Sequence, residues 1–164
     1  PYANGAPRLV VSPENSRARL AAFLSGARRQ LLIYDPGLTD DAMLAILLAK
    51  VKAGLDVKII GKVESKWPLK FEPYPGKRLH VRAIIRDGSR AFVGSQSLRK
   101  LELDKRREVG VIVTDRQVVR EMMAVFARDW ALTPSAKRAL KKAAKARPEA
   151  KLPAGEEALL GLRA

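Results

Sequence analysis

The chain has 164 residues, of which 32 are Lys or Arg and 17 are Asp or Glu, giving a formal charge of +15 at pH 7. With 47% hydrophobic and 30% charged residues, the composition is typical of a folded domain and excludes a mostly disordered chain. There is no cysteine and only one histidine, His80, which excludes disulfides, thiolate chemistry and a histidine-rich metal site within one chain. The positive charge favours polyanionic partners, nucleic acid or anionic phospholipid surfaces.

No membrane-spanning or targeting segment is predicted. The longest wholly apolar run, residues 42–49, is far shorter than the roughly 20 residues that a membrane-spanning helix needs. The chain opens with Pro-Tyr-Ala-Asn-Gly, without Met and without a charged and then apolar leader, so we expect no signal peptide and regard the chain as an excised piece of something longer. The compartment stays open between the cytoplasm and the periphery of a membrane.

The first half of the chain alternates between strand and helix patterns. Apolar runs ended by Pro, Gly or Asp predict strands, and stretches that begin at capping residues predict helices. The predicted order is strand 9–13, helix 15–27, strand 30–34, helix 39–53 and strand 57–63. This βαβαβ order predicts right-handed crossovers, and we expect an α/β fold with a mixed, mostly parallel sheet flanked by helices.

The second half begins with a proline-rich loop over residues 64–78. Asp87-Gly88, flanked by the apolar stretches 79–85 and 90–93, predicts a β-hairpin. A further strand is predicted at 109–113, and apolar residues at helical spacing over 116–130 predict an amphipathic helix lying on the sheet.

The proline-rich loop interleaves cations with Trp67, Phe71 and Tyr74. Such aromatics could enter a lipid headgroup region or stack on bases. They could equally close the hydrophobic core beneath the loop.

Composition changes after Leu132. Residues 133–164 carry eight basic and three acidic residues, a net charge of 8 − 3 = +5. We therefore divide the chain into a body over residues 1–132 and a basic, partly helical tail over residues 133–164. Charge runs of this kind are usually solvated faces.

The candidate chemistry lies in residues 77–107, which hold ten basic and three acidic residues. His80 and Arg82 share one face if they lie on a strand. The Arg guanidinium can donate two parallel hydrogen bonds to a phosphate, and His can act as nucleophile, acid or base near neutral pH. Gly94-Ser95-Gln96-Ser97 could complete a phosphate cradle, and Glu108 could orient His80.

Each of these residues, taken singly, also has an ordinary structural interpretation. A lone histidine on a strand is more often structural, and Asp87-Gly88 suits any hairpin. Gly-Ser-x-Ser is common in loops, and Glu108 could simply pair with Arg106 or Arg107. The combination is what indicates a phosphodiester site.

Together, His80-x-Arg82-x4-Asp87-x6-Gly94-Ser95-x-Ser97 resembles the His-x-Lys-x4-Asp-x6-Gly-Ser-x-Asn motif of the phospholipase D superfamily. Every spacing agrees, and the downstream glutamate of that family falls on Glu108. Arg82 stands where the family has lysine, and Ser97 stands where it has asparagine. The resemblance covers roughly residues 8–132 and implies one lobe of that fold.

The resemblance implies a covalent mechanism that needs no metal and no cofactor. His80 would attack phosphorus, and a histidine of a second lobe would protonate the leaving alkoxide. Arg82 and Ser97 would hold the non-bridging oxygens, Ser95 would support the pocket, and Glu108 would orient His80. Asp87, at the hairpin, completes the motif and is better placed as an anchor than as a reacting group.

We therefore interpret the chain as a lobe of a phosphodiesterase or phosphatidyltransferase, similar to bacterial cardiolipin synthase and phospholipase D-like proteins and acting on phospholipid. The second lobe would come from a longer chain or from a second copy. Two alternatives stay open. One is a nuclease of the same superfamily acting as a homodimer. The other is a degenerate lobe that binds nucleic acid or anionic membrane, because Arg82 and Ser97 depart from the motif.

Overall fold

The computed structural model describes residues 6–76 and 78–146. Six strands form one sheet: β1 (Leu9–Ser12), β2 (Gln30–Leu38), β3 (Asp56–Val63), β4 (Ala83–Arg86), β5 (Arg90–Gly94) and β6 (Glu108–Val113). The helices are α1 (Ser16–Ser25), α2 (Asp41–Lys52), α3 (Lys100–Asp104), α4 (Arg116–Ala131) and α5 (Pro134–Ala146). Each helix in this part of the chain is too short or too polar to traverse a bilayer. The basic tail beyond residue 146 lies outside the described residues.

The strand order is β1-β6-β5-β4-β2-β3, and one neighbouring pair, β2 with β3, is parallel. The other four neighbouring pairs are antiparallel. The mixed sheet flanked by helices is confirmed, but the expectation of mostly parallel pairing is wrong. The βαβαβ order misleads because β1 crosses to the far edge and pairs with β6, while the β4–β5 hairpin fills the centre of the sheet.

One face of the sheet packs against α1, α2 and α3. β2 is a central strand whose side chains alternate between the two faces, so that Ile33 joins this layer while Leu32 and Tyr34 join the opposite one. Burial on both faces explains the unbroken apolar run of this strand. The largest fully buried side chains of the first layer include Leu20, Leu24, Met43, Leu44, Leu47, Ile59 and Phe92.

The opposite face packs against α4. Phe126 of α4 lies edge-on to the Tyr34 ring, with centroids 4.9 Å apart, and stacks with Trp130 at 6.0 Å. The Tyr34 hydroxyl donates a 2.6 Å hydrogen bond to Asp129 of the same helix. Burial, followed by this contact with Asp129, raises the pKa of Tyr34. The sequence prediction of an amphipathic helix lying on the sheet is confirmed.

α4 leaves part of its face of the sheet uncovered. Val93 and Val111 are neighbours in the β5–β6 register and remain 38% and 43% exposed. Val81 lies two residues before the first residue of β4, and Val109 lies two residues before Val111, so both side chains are on this same face of the sheet. Val81 is 47% exposed and Val109 is 53% exposed. We call these four residues the open valine patch.

The proline-rich loop packs on the body of the domain. Trp67 packs against the first core layer, and its indole Nε1 donates to Asp41 at 3.1 Å. Tyr74 packs against the second layer, whereas Phe71 remains 40% exposed. Core closure is therefore the role of Trp67, and Phe71 is the loop aromatic left open to solvent.

Asp87 builds the turn between β4 and β5. Asp87 and Gly88 both have positive φ angles, of 54° and 66°, at the two central positions of the turn that the Ser89 N–H closes on the Arg86 carbonyl. The Asp87 carboxylate also accepts hydrogen bonds from the backbone N–H groups of Arg28, Arg29 and Gln30. It thereby anchors the start of β2 to the hairpin.

Replacing Asp87 by Ala should destabilise the fold by roughly 1–2 kcal/mol at neutral pH, because three backbone donors lose a charged but partly solvated acceptor. Burial alone would raise the pKa of Asp87, yet these backbone donors and Arg86 hold it below the ordinary 3.8. A lowered folded-state pKa means that this contribution is present above pH 3.8 and is lost as the pH falls through the folded value.

Urea unfolding of the wild type and of Asp87→Ala at several pH values from about 3 to about 7 measures this contribution. The stability difference should shrink on acidification. A difference that is independent of pH would contradict the assigned role of the carboxylate.

Candidate active site

Most of the predicted site residues meet at one end of the sheet. β4 and β6 begin there and β5 ends there, because both pairs are antiparallel. The backbone N–H of Gly94 donates to the carbonyl of Arg82 at 3.2 Å, which extends the pairing past Ala83. The residues brought to this end are His80, Arg82, Ser95, Ser97 and Glu108. Asp87 lies at the opposite end of β4 and is not part of this group.

His80 lies in the extended segment before β4 and is exposed to solvent. Its carbonyl oxygen accepts a 3.3 Å hydrogen bond from Nη1 of Arg82. Glu108 is partly buried at the first position of β6. Within the described residues no hydrogen bond joins the imidazole of His80 to Glu108, so the ring is open to an incoming group.

Arg82 is held from behind by a buried serine. Its Nε donates to Oγ of Ser97 at 2.9 Å and lies 3.8 Å from Oε2 of Glu102. Ser97 is fully buried, and the Arg82 side chain is 18% exposed. Since guanidinium carries five N–H donors in a rigid fork, Nη2 and the second Nη1 donor remain for a phosphate oxygen.

Two buried carboxylates complete the support of Arg82, and the sequence analysis missed both. Asp35 accepts from the backbone of Gly37 at 2.9 Å and of Leu98 at 2.8 Å, and it also hydrogen bonds the Ser97 side chain. Glu102 accepts from the backbone N–H of Ser97 at 2.5 Å. Asp35 follows an apolar run and precedes Pro-Gly, so its sequence context indicates only the end of a strand.

Burial raises the pKa of Asp35. The backbone donors of Leu98 and Gly37 and the hydroxyl of Ser97 oppose that rise, while the neighbouring charge of Glu102 adds to it. Two cations lie close to this pair of acids: Arg82 is 3.8 Å and Arg99 is 3.9 Å from the Glu102 carboxylate, and Arg82 also contacts Ser97. The local arrangement therefore couples the position of Arg82 to the protonation of a buried carboxyl.

Gly94 is required by close packing at the end of the hairpin. It pairs in register with Gly110, and both positions touch the Phe92 ring and the Gln96 side chain. A Cβ atom at Gly94 would come within 2.5 Å of Gln96 Oε1, and one at Gly110 within 2.5 Å of the Phe92 ring. The absence of a side chain at Gly94 thus leaves room for the buried Gln96, whose Nε2 donates to the backbone carbonyl of Val10.

Ser95 is exposed and lies between the ends of two strands. Its hydroxyl oxygen accepts from the backbone N–H of Val109 at 3.2 Å. This bond fixes the turn after β5 against β6, immediately beside Glu108.

A groove with a volume of about 460 Å³ has the two residues that precede His80, Arg78 and Leu79, in its wall. Three cations, Lys62, Arg78 and Arg99, line it together with Tyr74. Arg99 is fixed by a 2.9 Å hydrogen bond from Nε to the carbonyl of Gly37. We call this the cationic groove; Pro36, Gly61, Pro73 and Leu79 complete its lining.

In the part of the chain that the structure describes, no cluster of three His, Asp or Glu side chains is arranged to hold a metal ion. The charged groups of the site are instead Arg82, its supporting acids and the cations of the groove.

A family model described as cardiolipin synthase, PLD-like domain, matches residues 61–130. This range runs from the end of β3 through the hairpin and the site to α4. Residues 61–130 are those of a phospholipase D-like domain. Its His80-to-Ser97 segment lies within the matched range.

Solved structures share the fold. Nuc from Salmonella typhimurium, a phospholipase D family member, is 17% identical with a TM-score of 0.66, and the match covers 77% of this chain and 94% of that one. NucT from Helicobacter pylori is 16% identical with a TM-score of 0.65, covering 76% and 95%. TrmBL2, an archaeal chromatin protein with a novel mode of DNA binding, is 17% identical with a TM-score of 0.50, covering 77% and 53%. Among functionally curated proteins, none matches the sequence.

In this phospholipase D-like domain the two off-pattern residues contact each other. Arg82 and Ser97 form the hydrogen bond that fixes the guanidinium. The complete burial of Ser97 places its hydroxyl behind Arg82 rather than in the open site, so the sequence-based expectation that both residues touch phosphate fits Arg82 better than Ser97.

Replacing Ser97 by Ala should raise the pKa of Asp35 further, because the carboxylate loses the hydroxyl that lowers it. The loss of a donor to Asp35 and of an acceptor for Arg82 should also cost about 1–3 kcal/mol of stability at pH 7. The folded pKa of Asp35 is already above 3.8, so the folded state binds this proton at a higher pH than the unfolded state does. Raising the folded pKa further should therefore make the destabilisation of Ser97→Ala grow as the pH rises.

Carbon-13 NMR of the aspartate carboxyl groups during a pH titration measures the change directly. Ser95→Ala is the matched control, since the Ser95 hydroxyl contacts Val109 instead. An Asp35 titration that is the same in Ser97→Ala and in the wild type would disprove the coupling.

Proposed function

We propose that this chain is one lobe of a phosphodiester-cleaving enzyme in which His80 is the nucleophile. The observation that supports this most is the Arg82–Ser97 hydrogen bond beside an exposed imidazole. It fixes a cation next to a nucleophile that a substrate can reach. Positioned charge that stabilises a developing oxyanion is usually the largest part of a catalytic effect.

The reaction follows from these roles. A ring nitrogen of His80 attacks phosphorus, a P–N bond forms, and the P–O bond to the leaving group breaks. A histidine from the second lobe gives its proton to the leaving alkoxide, while Arg82 holds non-bridging oxygens by charge-assisted hydrogen bonds. The second histidine then takes a proton from water or an alcohol, whose oxygen attacks phosphorus and restores His80. Ser97 acts by positioning Arg82.

The second lobe is required because the sequence holds one histidine, and this scheme uses two. The open valine patch supports a place for it, because Val81 and Val109 lie at the end of the sheet where the site residues meet. Such aliphatic exposure is typical of a surface that another protein covers. The chain spans 94% and 95% of the lengths of Nuc and NucT, which favours a second copy as the other lobe.

The identity of the substrate is a separate question. The cardiolipin synthase description of the family model supports a phospholipid substrate and transfer to an alcohol. The cationic groove and the fold shared with a DNA-binding chromatin protein support nucleic acid. Phospholipids and nucleic acids both contain the phosphodiester group that the site would accept.

His80→Ala should reduce turnover at least about 1,000-fold, because the nucleophile of the covalent route is removed. Hydrolysis of an activated aryl phosphodiester and of an unactivated alkyl phosphodiester measures it. Alkaline quenching of the wild type during turnover should yield a phosphohistidine peptide that contains position 80 and that loses its phosphoryl group in acid. Unchanged hydrolysis of both substrates by a folded His80→Ala protein would refute the catalytic assignment.

Val111→Glu should convert a dimer to a monomer and abolish turnover, because a charge at the patch centre would be desolvated on association. Val118→Glu is the matched control, since Val118 is 44% exposed on α4 and Val111 is 43% exposed. Light scattering gives the mass, and circular dichroism checks the fold. A monomeric wild type with full turnover would contradict the role of a second copy.

A further inference from the structure

α5 presents a concentrated positive charge. Its 13 residues include five cations, Lys137, Arg138, Lys141, Lys142 and Lys145, and no acid. None of its residues is buried. Lys137, Lys141 and Lys145 are four residues apart and so recur about every 6 Å along one side of the helix. Arg138 and Lys142 form a second row beside them.

Two apolar residues of α5 lie beside α4, although Leu140 remains 65% exposed. Ala136 and Leu140 line a pocket of about 370 Å³ together with Phe126 and Trp130 of α4. Leu140 is the one large apolar side chain of this helix. Insertion into a bilayer needs a face of several large apolar residues, so α5 is suited to a charged polymer instead.

α5 is tied to the wall of the cationic groove. Its first-turn residue Ser135 donates through both its backbone N–H and its hydroxyl to the carboxylate of Glu72. The carbonyl of Glu72 in turn accepts from the backbone N–H of Gly61 at 2.8 Å. Gly61 lines the groove beside Lys62. The row of cations on α5 therefore begins at a helix end that is linked through Glu72 to the wall of the groove at Gly61 and Lys62.

We propose that the cationic groove and the outer face of α5 form one track for the phosphate backbone of a nucleic acid strand. This rests on the proposed function and names its substrate class. Recognition would be electrostatic and independent of sequence. Tyr74 in the groove and the exposed Phe71 offer aromatic faces on which bases can stack. α5 acts as an arm that holds the strand while a phosphodiester lies at His80.

The test is binding of a fluorescein-labelled oligodeoxythymidylate to the full chain carrying His80→Ala, so that no cleavage interferes. In this background we compare Lys137→Gln/Lys141→Gln/Lys145→Gln with the control Arg90→Gln/Arg116→Gln/Arg120→Gln. The control removes three equally exposed cations from the end of the sheet away from the site. Lys and Gln have similar helix propensities, and circular dichroism verifies the helix.

The α5 variant should bind at least about tenfold more weakly at moderate salt. Its slope of log affinity against log salt should be shallower by about 2, since each lost contact to a single strand contributes about 0.7. The control should change both quantities much less. Equal affinity and slope for the α5 variant and the control would overturn the proposal.

Vesicles of phosphatidylcholine with and without phosphatidylglycerol are the second arm. Binding to anionic vesicles that depends on α5, without oligonucleotide binding, would replace the strand by a membrane surface and overturn the proposal. Hydrolysis of the small aryl phosphodiester by the α5 variant with His80 intact should equal that of the wild type. No oligonucleotide binding by the His80→Ala chain, with normal hydrolysis of the aryl phosphodiester by the wild type, would refute the track alone. Oligonucleotide binding that depends on α5, without hydrolysis by the wild type, would refute the catalytic assignment alone.

Discussion

The hydrogen bond between Arg82 and the buried Ser97 is the interaction on which the arrangement of the site depends. Ser97 also contacts Asp35 at the end of β2 and receives support from Glu102 in α3. One serine therefore links three elements that are distant in sequence. Two carboxyl groups buried this deeply are costly without donors and a nearby cation. The guanidinium and the backbone N–H groups around Ser97 supply both, so the same contacts that stabilise the acids also fix Arg82.

The sheet carries very different layers on its two faces. Three helices cover one face, and their leucines and methionine form the larger core layer with the strands. On the other face α4 covers only part of the strands, and the valines nearest to the site stay exposed. If helices covered this face completely, the chain itself would enclose the site. The incomplete cover instead leaves an aliphatic surface beside His80, which is where a partner has to approach if it is to share the chemistry.

Local patterns predicted much of this structure, and long-range pairing accounts for the rest. The Asp87-Gly88 turn and the α4 stripe depend on residues close together in sequence, and each yielded the expected element. The pairing of β1 with β6 joins residues about a hundred positions apart, such as Leu9 and Val111, and no local pattern encodes it. Asp35 was missed for the same reason: its partners Ser97 and Leu98 lie far along the chain. The cationic groove likewise draws Lys62 and Arg99 from separate segments.

Both edges of the sheet are blocked against further strands. At β3, backbone groups of Ile59 and Gly61 already bond to Glu72 of the following loop, and the opposite edge, β1, has four residues and is followed by Pro13. Short or occupied edges of this kind prevent sheets from joining side by side. A second copy that pairs with this chain would then approach through a face, with the twofold axis lying in the plane between the two facing valine patches.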